Sequence, residues 1–284
     1  MRLLILGGSG MLGHQLWRGL HAQHDTWVTL RRPVADFAAH NLFDEAKAIQ
    51  ADDITDNESL GRALGQAKPE AVINCVGLIK QRDEATDEAL TSRINADFPH
   101  RLAKRCVQAG ARLIHFSTDC VFSGTKGNYT EADPPDATDL YGQSKHLGEV
   151  ADAYCVTLRT SVIGHEIDTN LALLEWFLSQ RGQAVNGYTK AIYSGFTTVE
   201  MARIVDRILT QHTALSGVWH VASAPISKFD LLKLCQIKLG WEGVIEPDDE
   251  FVCDRSLNAD RFNAATGYSP ASWEAMISEL AQQP

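Results

Sequence analysis

The chain has 284 residues, 44% of them hydrophobic and 22% charged, with 26 Lys and Arg against 36 Asp and Glu for a formal net charge of −10. At about 100–200 residues per domain there is room for one large or two smaller domains around a real core, and the composition excludes disorder as the dominant state. The acidic balance argues against nucleic acid as a partner, and the longest early apolar run, residues 3–6, is too short for a secretory signal or a membrane span.

Short apolar runs alternate with helical patterns over the first 160 residues, as in a parallel sheet covered on both faces. Residues 3–6 read as the first strand, 12–20 as the first helix and 27–30 as the second strand. A third strand ends near Asp53, and Asp56 or Thr55 then caps a helix running to about Gly65; Thr55-x-x-Glu58 has the form of a capping box. Residues 71–76 read as the fourth strand, and a long helix over 87–109 ends at Gly110, a natural C′ residue. A fifth strand covers 113–117, a helix starts near Leu140, and a sixth strand covers 155–159. Six such alternations with right-handed crossovers predict an α/β fold, a doubly wound parallel Rossmann-like sheet. After Gly164 the alternation loosens into helices over 171–179, 199–210 and 228–239 and a strand over 217–221. This reads as a Rossmann-like domain over 1–160. A smaller lobe over 161–284, mainly for substrate, carries a returning sheet element near 190–222. No Pro/Gly-rich linker separates the two, so they are expected to pack together. Residues 246–250 read as a solvated loop, and Trp17, Trp176, Trp219, Trp241 and Trp273 as core or lobe packing. The six cysteines form no CxxC pair and fall mostly in apolar patterns, which predicts free buried thiols, a reducing compartment and a cytoplasmic location.

Gly7-Gly8-Ser9-Gly10-Met11-Leu12-Gly13 follows the first strand directly. Gly7, Gly10 and Gly13 have the spacing that permits a tight strand-to-helix turn, a close backbone approach and a helix N-terminus aimed at a pyrophosphate. Leu30 closes the second strand and is followed by Arg31-Arg32, where folds that select NAD place an acid for the ribose 2′-hydroxyl. Arginine there accommodates a 2′-phosphate, which favours NADPH; Arg31 is the first choice, because Arg32 precedes Pro33. A solvated loop pair is the other reading. Asp53-Ile54 falls where such folds hold the adenine, with Asp53 as acceptor and Ile54 as cover, or with Asp53 as a plain helix cap. Asn74-Cys75-Val76-Gly77 closes the fourth strand with small residues that let the backbone run beneath a cofactor.

Ser117-Thr118-Asp119 closes the fifth strand, and Tyr141-Gly-Gln-Ser-Lys145 lies downstream. On a helix Tyr141 and Lys145 stand one turn apart on the same face. A lysine cation beside a phenol lowers its pKa from about 10, which makes the tyrosine an acid or base near neutrality. A hydroxyl at a neighbouring strand end can bond the same substrate oxygen. The ten histidines show no metal-ligand spacing, so no metal is expected, and Ser-His-Asp catalysis lacks its GxSxG elbow.

Together these residues resemble the extended short-chain dehydrogenase/reductases and, more narrowly, the dTDP-4-dehydrorhamnose reductase family, over nearly the whole chain. The resemblance rests on GGSGMLG, on STDCVFSG followed by YTEAD and YGQSK, on Leu158-Arg159-Thr160-Ser161, and on Arg255-Ser256-Leu257-Asn258 with Arg261-Phe262. It implies Thr118, Tyr141 and Lys145 as the catalytic triad, with Asp119 beside the substrate. It implies Asn95, on the long helix, as the residue that helps hold the lysine through water. Met11, Leu12, Asp53, Ile54, Cys75, Val76 and Gly77 match cofactor-contacting positions. Two positions depart: the family's tyrosine after the Thr-Asp pair is Cys120, and its tryptophan that packs on the substrate sugar is Val162. The implied activity is NADPH-dependent reduction of a 4-keto (6-deoxy) nucleotide sugar, with the sugar and the nucleotide left open by Cys120 and Val162. A nucleotide-sugar epimerase and a non-catalytic NADP-binding regulatory protein are the alternatives. The family expectation for assembly is a homodimer through the long helix near Asn95 and the Tyr141 helix.

Overall fold

Both faces of the first strand, β1 (Arg2–Leu6), are buried: Leu3 and Ile5 join one hydrophobic cluster, Leu4 and Leu6 another. Such a strand needs cover on both sides, and helices supply it. The computed structural model describes residues 1–283. After β1 come α1 (Met11–Leu20), β2 (Asp25–Leu30), β3 (Ala48–Gln50), α2 (Asn57–Ala67), β4 (Ala71–Asn74), α3 (Glu88–Ser92), α4 (Phe98–Ala109), β5 (Arg112–Phe116), α5 (Leu140–Leu147) and β6 (Cys155–Arg159). Then follow β7 (Val162–Ile163), α6 (Leu173–Ser179), β8 (Ala184–Tyr193), β9 (Phe196–Thr197), α7 (Thr198–Thr210), β10 (Gly217–His220), β11 (Ile226–Ser227), α8 (Lys228–Lys238), β12 (Val244–Asp254), α9 (Asp260–Thr266) and α10 (Trp273–Leu280).

The central sheet has the order β10-β6-β5-β4-β1-β2-β3, and every pairing in it is parallel. Leu16 and Leu20 of α1 and Ile204 and Ile208 of α7 cover one face; Leu60 of α2 and Phe98 and Leu102 of α4 cover the other. The doubly wound parallel sheet expected from the sequence is therefore the fold. The order reverses between β1 and β4, so a crevice opens at their carboxyl ends, where such sheets bind ligands.

Several local expectations are corrected. β3 ends at Gln50, not near Asp53, because the chain is already turning: the Asp53 carboxylate accepts from the Thr55 amide and hydroxyl. Asp56 caps α2 by accepting from the Glu58 and Ser59 amides, so the capping box from Thr55 does not form. The helix passes Gly65, keeps Ala67 buried, and stops at Lys68 in the left-handed region. The long helix is α3 and α4 joined by a π-helical turn, Arg93–Asp97, and it ends at Gly110 with φ +68. Residues 246–250 are not a loop. They lie in β12, which pairs in parallel with β8 and has a bulge between Asp248 and Val252; its outer side chains are exposed, which gives the segment its loop-like polarity. Trp176 is 38% exposed, whereas Trp17, Trp219, Trp241 and Trp273 are buried. The cysteines are free, with Cys106, Cys155 and Cys235 buried and the others half-buried. Among the described residues, no helix is long and apolar enough to cross a membrane.

Candidate active site

The turn from β1 into α1 is too tight for side chains at Gly7, Gly8 and Gly13, and a Cβ on Gly8 would stand 2.0 Å from Val28 Cγ2. Gly7 has φ +79, and a Cβ on Gly13 would stand 2.2 Å from the Gly7 carbonyl oxygen. Gly10 is the N-cap of α1 and has no side chain to satisfy the first amides, and the first turn carries no acid. Met11 and Leu12 flank these free donors, half-buried. The result is a helix N-terminus of the kind that holds a pyrophosphate, and it fits a dinucleotide. Gly7 packs against the Cys75 backbone and Val76, and Gly77 faces Asn95 and Lys145. The glycine turn, the β4 exit and Lys145 thus form one continuous lining.

Arg31 and Arg32 lie at the other end of this lining, both exposed. Arg32 donates to Asp168 and stacks over the Phe37 ring at 4.6 Å, whereas Arg31 makes no hydrogen bond or ion pair with any described residue. Asp53 is committed to Thr55 and to Arg93, whose guanidinium donates at 2.8 Å. Burial pushes its carboxyl up, but these hydrogen bonds outweigh it and hold the group below the usual carboxylate range. Ile54 is buried beside it.

At the carboxyl end of β5, the Thr118 hydroxyl accepts from the Cys120 amide at 3.1 Å and stands beside the Tyr141 phenol. Tyr141, in the first turn of α5, borders a cleft of about 280 Å³ with Leu78, Lys80 and Asp139. Lys145 is buried, and its ammonium donates to the Phe116 carbonyl at 2.6 Å, not to the phenol. Here the structure reverses an expectation. Burial first, and then the acidic surroundings that include Asp119 and Asp139, push the Tyr141 phenol well above its usual range, opposed by Thr118. Burial brings Lys145 down to about 8, against the raising influence of Glu149 and Cys75. The phenol is therefore neutral in this environment.

Asn95 lies in the π-helical turn, and both ends of its amide are used. Its Oδ1 accepts from the Leu78 amide at 2.8 Å, and its Nδ2 donates to the Leu78 carbonyl at 2.9 Å and to Ser144 at 3.2 Å. It pins the loop after β4 to the helix that carries Tyr141 and Lys145. Asp119 is buried, and burial pushes its carboxyl up against the pull of Arg255. Val162 opens β7 and packs half-buried against the larger core cluster, beside β9. Sequence reasoning missed Arg255 as a neighbour of this group: its guanidinium donates to the Phe122 carbonyl at 2.8 Å and reaches the Cys120 sulfur at 3.5 Å. It also missed Glu149, whose spacing of four from Lys145 was the available signal; nothing local could reveal Arg255, 135 residues from Cys120.

Known proteins carry the same plan. A dTDP-4-dehydrorhamnose reductase of Burkholderia thailandensis is 33% identical over 154 residues, which cover 54% of this chain but only 46% of that protein. A probable dTDP-4,6-dihydroxy-2-methyloxan-3-one 4-ketoreductase of Streptomyces antibioticus is 33% identical over 237 residues, 79% of this chain and 72% of its own. The fold matches a dTDP-4-dehydrorhamnose reductase of Bacillus anthracis crystallised in complex with NADP, with a TM-score of 0.79 over 98% of this chain and 96% of that one at 20% identity. The model of the family described as RmlD substrate binding domain matches residues 1–243, from the glycine turn through the Thr118–Tyr141–Lys145 group to the end of α8 and beyond, and the chain belongs to that family.

Proposed function

We propose that the chain is an NADPH-dependent reductase of a 4-keto nucleotide sugar. The observation that carries this reading is the Thr118 hydroxyl beside a Tyr141 phenol held protonated, one helical turn from a buried Lys145. When bound, NADPH supplies the hydride for the ketone carbon. Tyr141 donates its proton to the ketone oxygen as negative charge develops there, and Thr118 orients that oxygen. Lys145 places positive charge beside the same group. The amides of Met11, Leu12 and Gly13, which follow the Gly10 cap, hold the pyrophosphate. Cys75, Val76 and Gly77 line the path between, Arg31 pairs with the 2′-phosphate, and Ile54 covers the adenine. Asp119 and Val162 face the sugar.

Residues 1–160 hold the cofactor in this reading, and residues 161–284 select the sugar. We assign the protein to the cytoplasm. The exposed side chains of Val107 on α4 and Leu147 on α5 support a homodimer through these helices, which sedimentation would detect. An epimerase returns its hydride to the sugar and consumes no net NADPH, so stoichiometric NADPH oxidation separates it from a reductase. The test is NADPH oxidation by the purified protein against a panel of dTDP- and UDP-linked 4-keto sugars. Consumption of NADPH with at least one is expected; none with any would favour a non-catalytic regulatory protein.

A further inference from the structure

Glu149 follows Gly148, the C-cap of α5, and its side chain is 6% exposed. Its Oε1 accepts from the Ser117 hydroxyl at 2.7 Å and from Arg159 Nε at 2.7 Å; its Oε2 accepts from Arg159 Nη2 at 2.8 Å and lies 3.0 Å from Nδ1 of His146, the exposed neighbour of Lys145. The two-point fork with Arg159 is what makes so buried a carboxylate tolerable. The remaining Arg159 donor, Nη1, reaches His220 Nε2 at 3.2 Å. That nitrogen must accept, so the Nδ1–H donates to the Tyr129 carbonyl at 3.0 Å. The ends of β5, β6 and β10 thus meet around one carboxylate.

Ser117 immediately precedes Thr118. The groups facing Lys145 are Glu149, the Cys75 thiol at the β4 exit and the His115 ring of β5. Burial keeps the thiol protonated and the ring neutral, so Glu149 is the anion among them. We propose that Glu149 is a positioning residue of this site: through Ser117 it fixes Thr118 at the end of β5, and it supplies the negative charge that faces Lys145. The proposal rests on the reductase reading for its effect on rate, and on this geometry for its effect on Lys145.

Glu149→Gln keeps the shape and removes the charge, Glu149→Asp keeps the charge, and Ser117→Ala removes only the tie to β5. The Lys145 titration is read by carbon-13 NMR of the lysine ε-carbons, assigned with Lys145→Arg, and needs no substrate. In Glu149→Gln the Lys145 pKa is expected to fall by about one unit, with Glu149→Asp restoring most of it and Ser117→Ala leaving it in place. With NADPH and dTDP-4-keto-6-deoxyglucose as probes, the alkaline limb of kcat moves down with it. Ser117→Ala lowers kcat several-fold without changing NADPH affinity. Should Glu149→Gln fail to fold with Arg159 unpaired, Ser117→Ala still tests the tie to β5 through kcat. An unmoved Lys145 in folded Glu149→Gln, or wild-type kcat in Ser117→Ala, overturns the proposal. If the wild type oxidises NADPH with no keto sugar, the reductase reading fails, and the Lys145 titration still decides the link to Glu149.

Discussion

Tyr141 has a hydroxyl that burial keeps protonated, next to a threonine that can share the same acceptor. General acid help of this kind contributes about 10²–10⁴-fold, so Tyr141→Phe is expected to lose that much kcat and to bind NADPH as the wild type does. Fluorescence titration with steady-state kinetics checks both halves; near-wild-type turnover would contradict the role. The arginines after β2 divide the same way. Arg32 is occupied by Asp168 and Phe37, while Arg31 is unpaired. A charge-assisted contact is worth about 1.5–3 kcal/mol, so Arg31→Ala should weaken NADPH binding by about 10-fold or more and leave NADH binding alone, with Arg32→Ala having the smaller effect. Equal losses for the two cofactors would mean that Arg31 only solvates a loop. Arg31, Arg32 and Thr118 were legible in the sequence because each follows a strand end, and Tyr141 because Lys145 stands one helical turn on. Their charge states were not: the sequence pairs Lys145 with Tyr141, but the fold turns the lysine to the Phe116 carbonyl and buries the phenol.

The elements of the first 160 residues were legible because strands buried on both faces leave unbroken apolar runs, as in Leu3–Leu6 and Ala71–Ile73. β12 was not, since its edge position leaves Glu246, Asp249 and Glu250 in solvent and erases the apolar signature of a strand. The π-helical turn that aims Asn95 at Leu78 and Ser144 has no sequence signature either, because its purpose lies in contacts 17 and 49 residues away. At this scale the glycine turn makes the sharpest prediction. A Cβ at Gly13 would stand 2.2 Å from the Gly7 oxygen, backbone that cannot retreat without moving α1 off the sheet. Gly13→Ala is expected to cost about 1–3 kcal/mol of stability, as overpacking does, and to weaken NADPH binding in parallel. Urea unfolding and NADPH titration measure the two; a variant with both unchanged would contradict the packing argument.

For the whole molecule, burial decides the response to acid. His14 is brought down to about 4 by burial, and burial likewise holds His115 and His220 below the usual range. The unfolded chain protonates these rings near pH 6.5 and the folded one resists. Their contribution is therefore complete above that value and is lost as pH falls, by at most about 1.4 kcal/mol per unit for each. Asp119, raised by burial, acts in the opposite sense. The urea midpoint is expected to fall between about pH 7.5 and 5.5, and a constant or rising midpoint would contradict the burial of neutral histidines. The central claim is that the crevice between β1 and β4 brings a hydride donor to a ketone whose oxygen Tyr141 protonates. The most direct test incubates the protein with dTDP-4-keto-6-deoxyglucose and NADPH deuterated at the transferable position, then examines the sugar by mass spectrometry. The account predicts a reduced sugar carrying deuterium at C4, formed by the wild type and not by Tyr141→Phe. Reduced sugar without deuterium, or the same labelled product from Tyr141→Phe at wild-type rate, would contradict it.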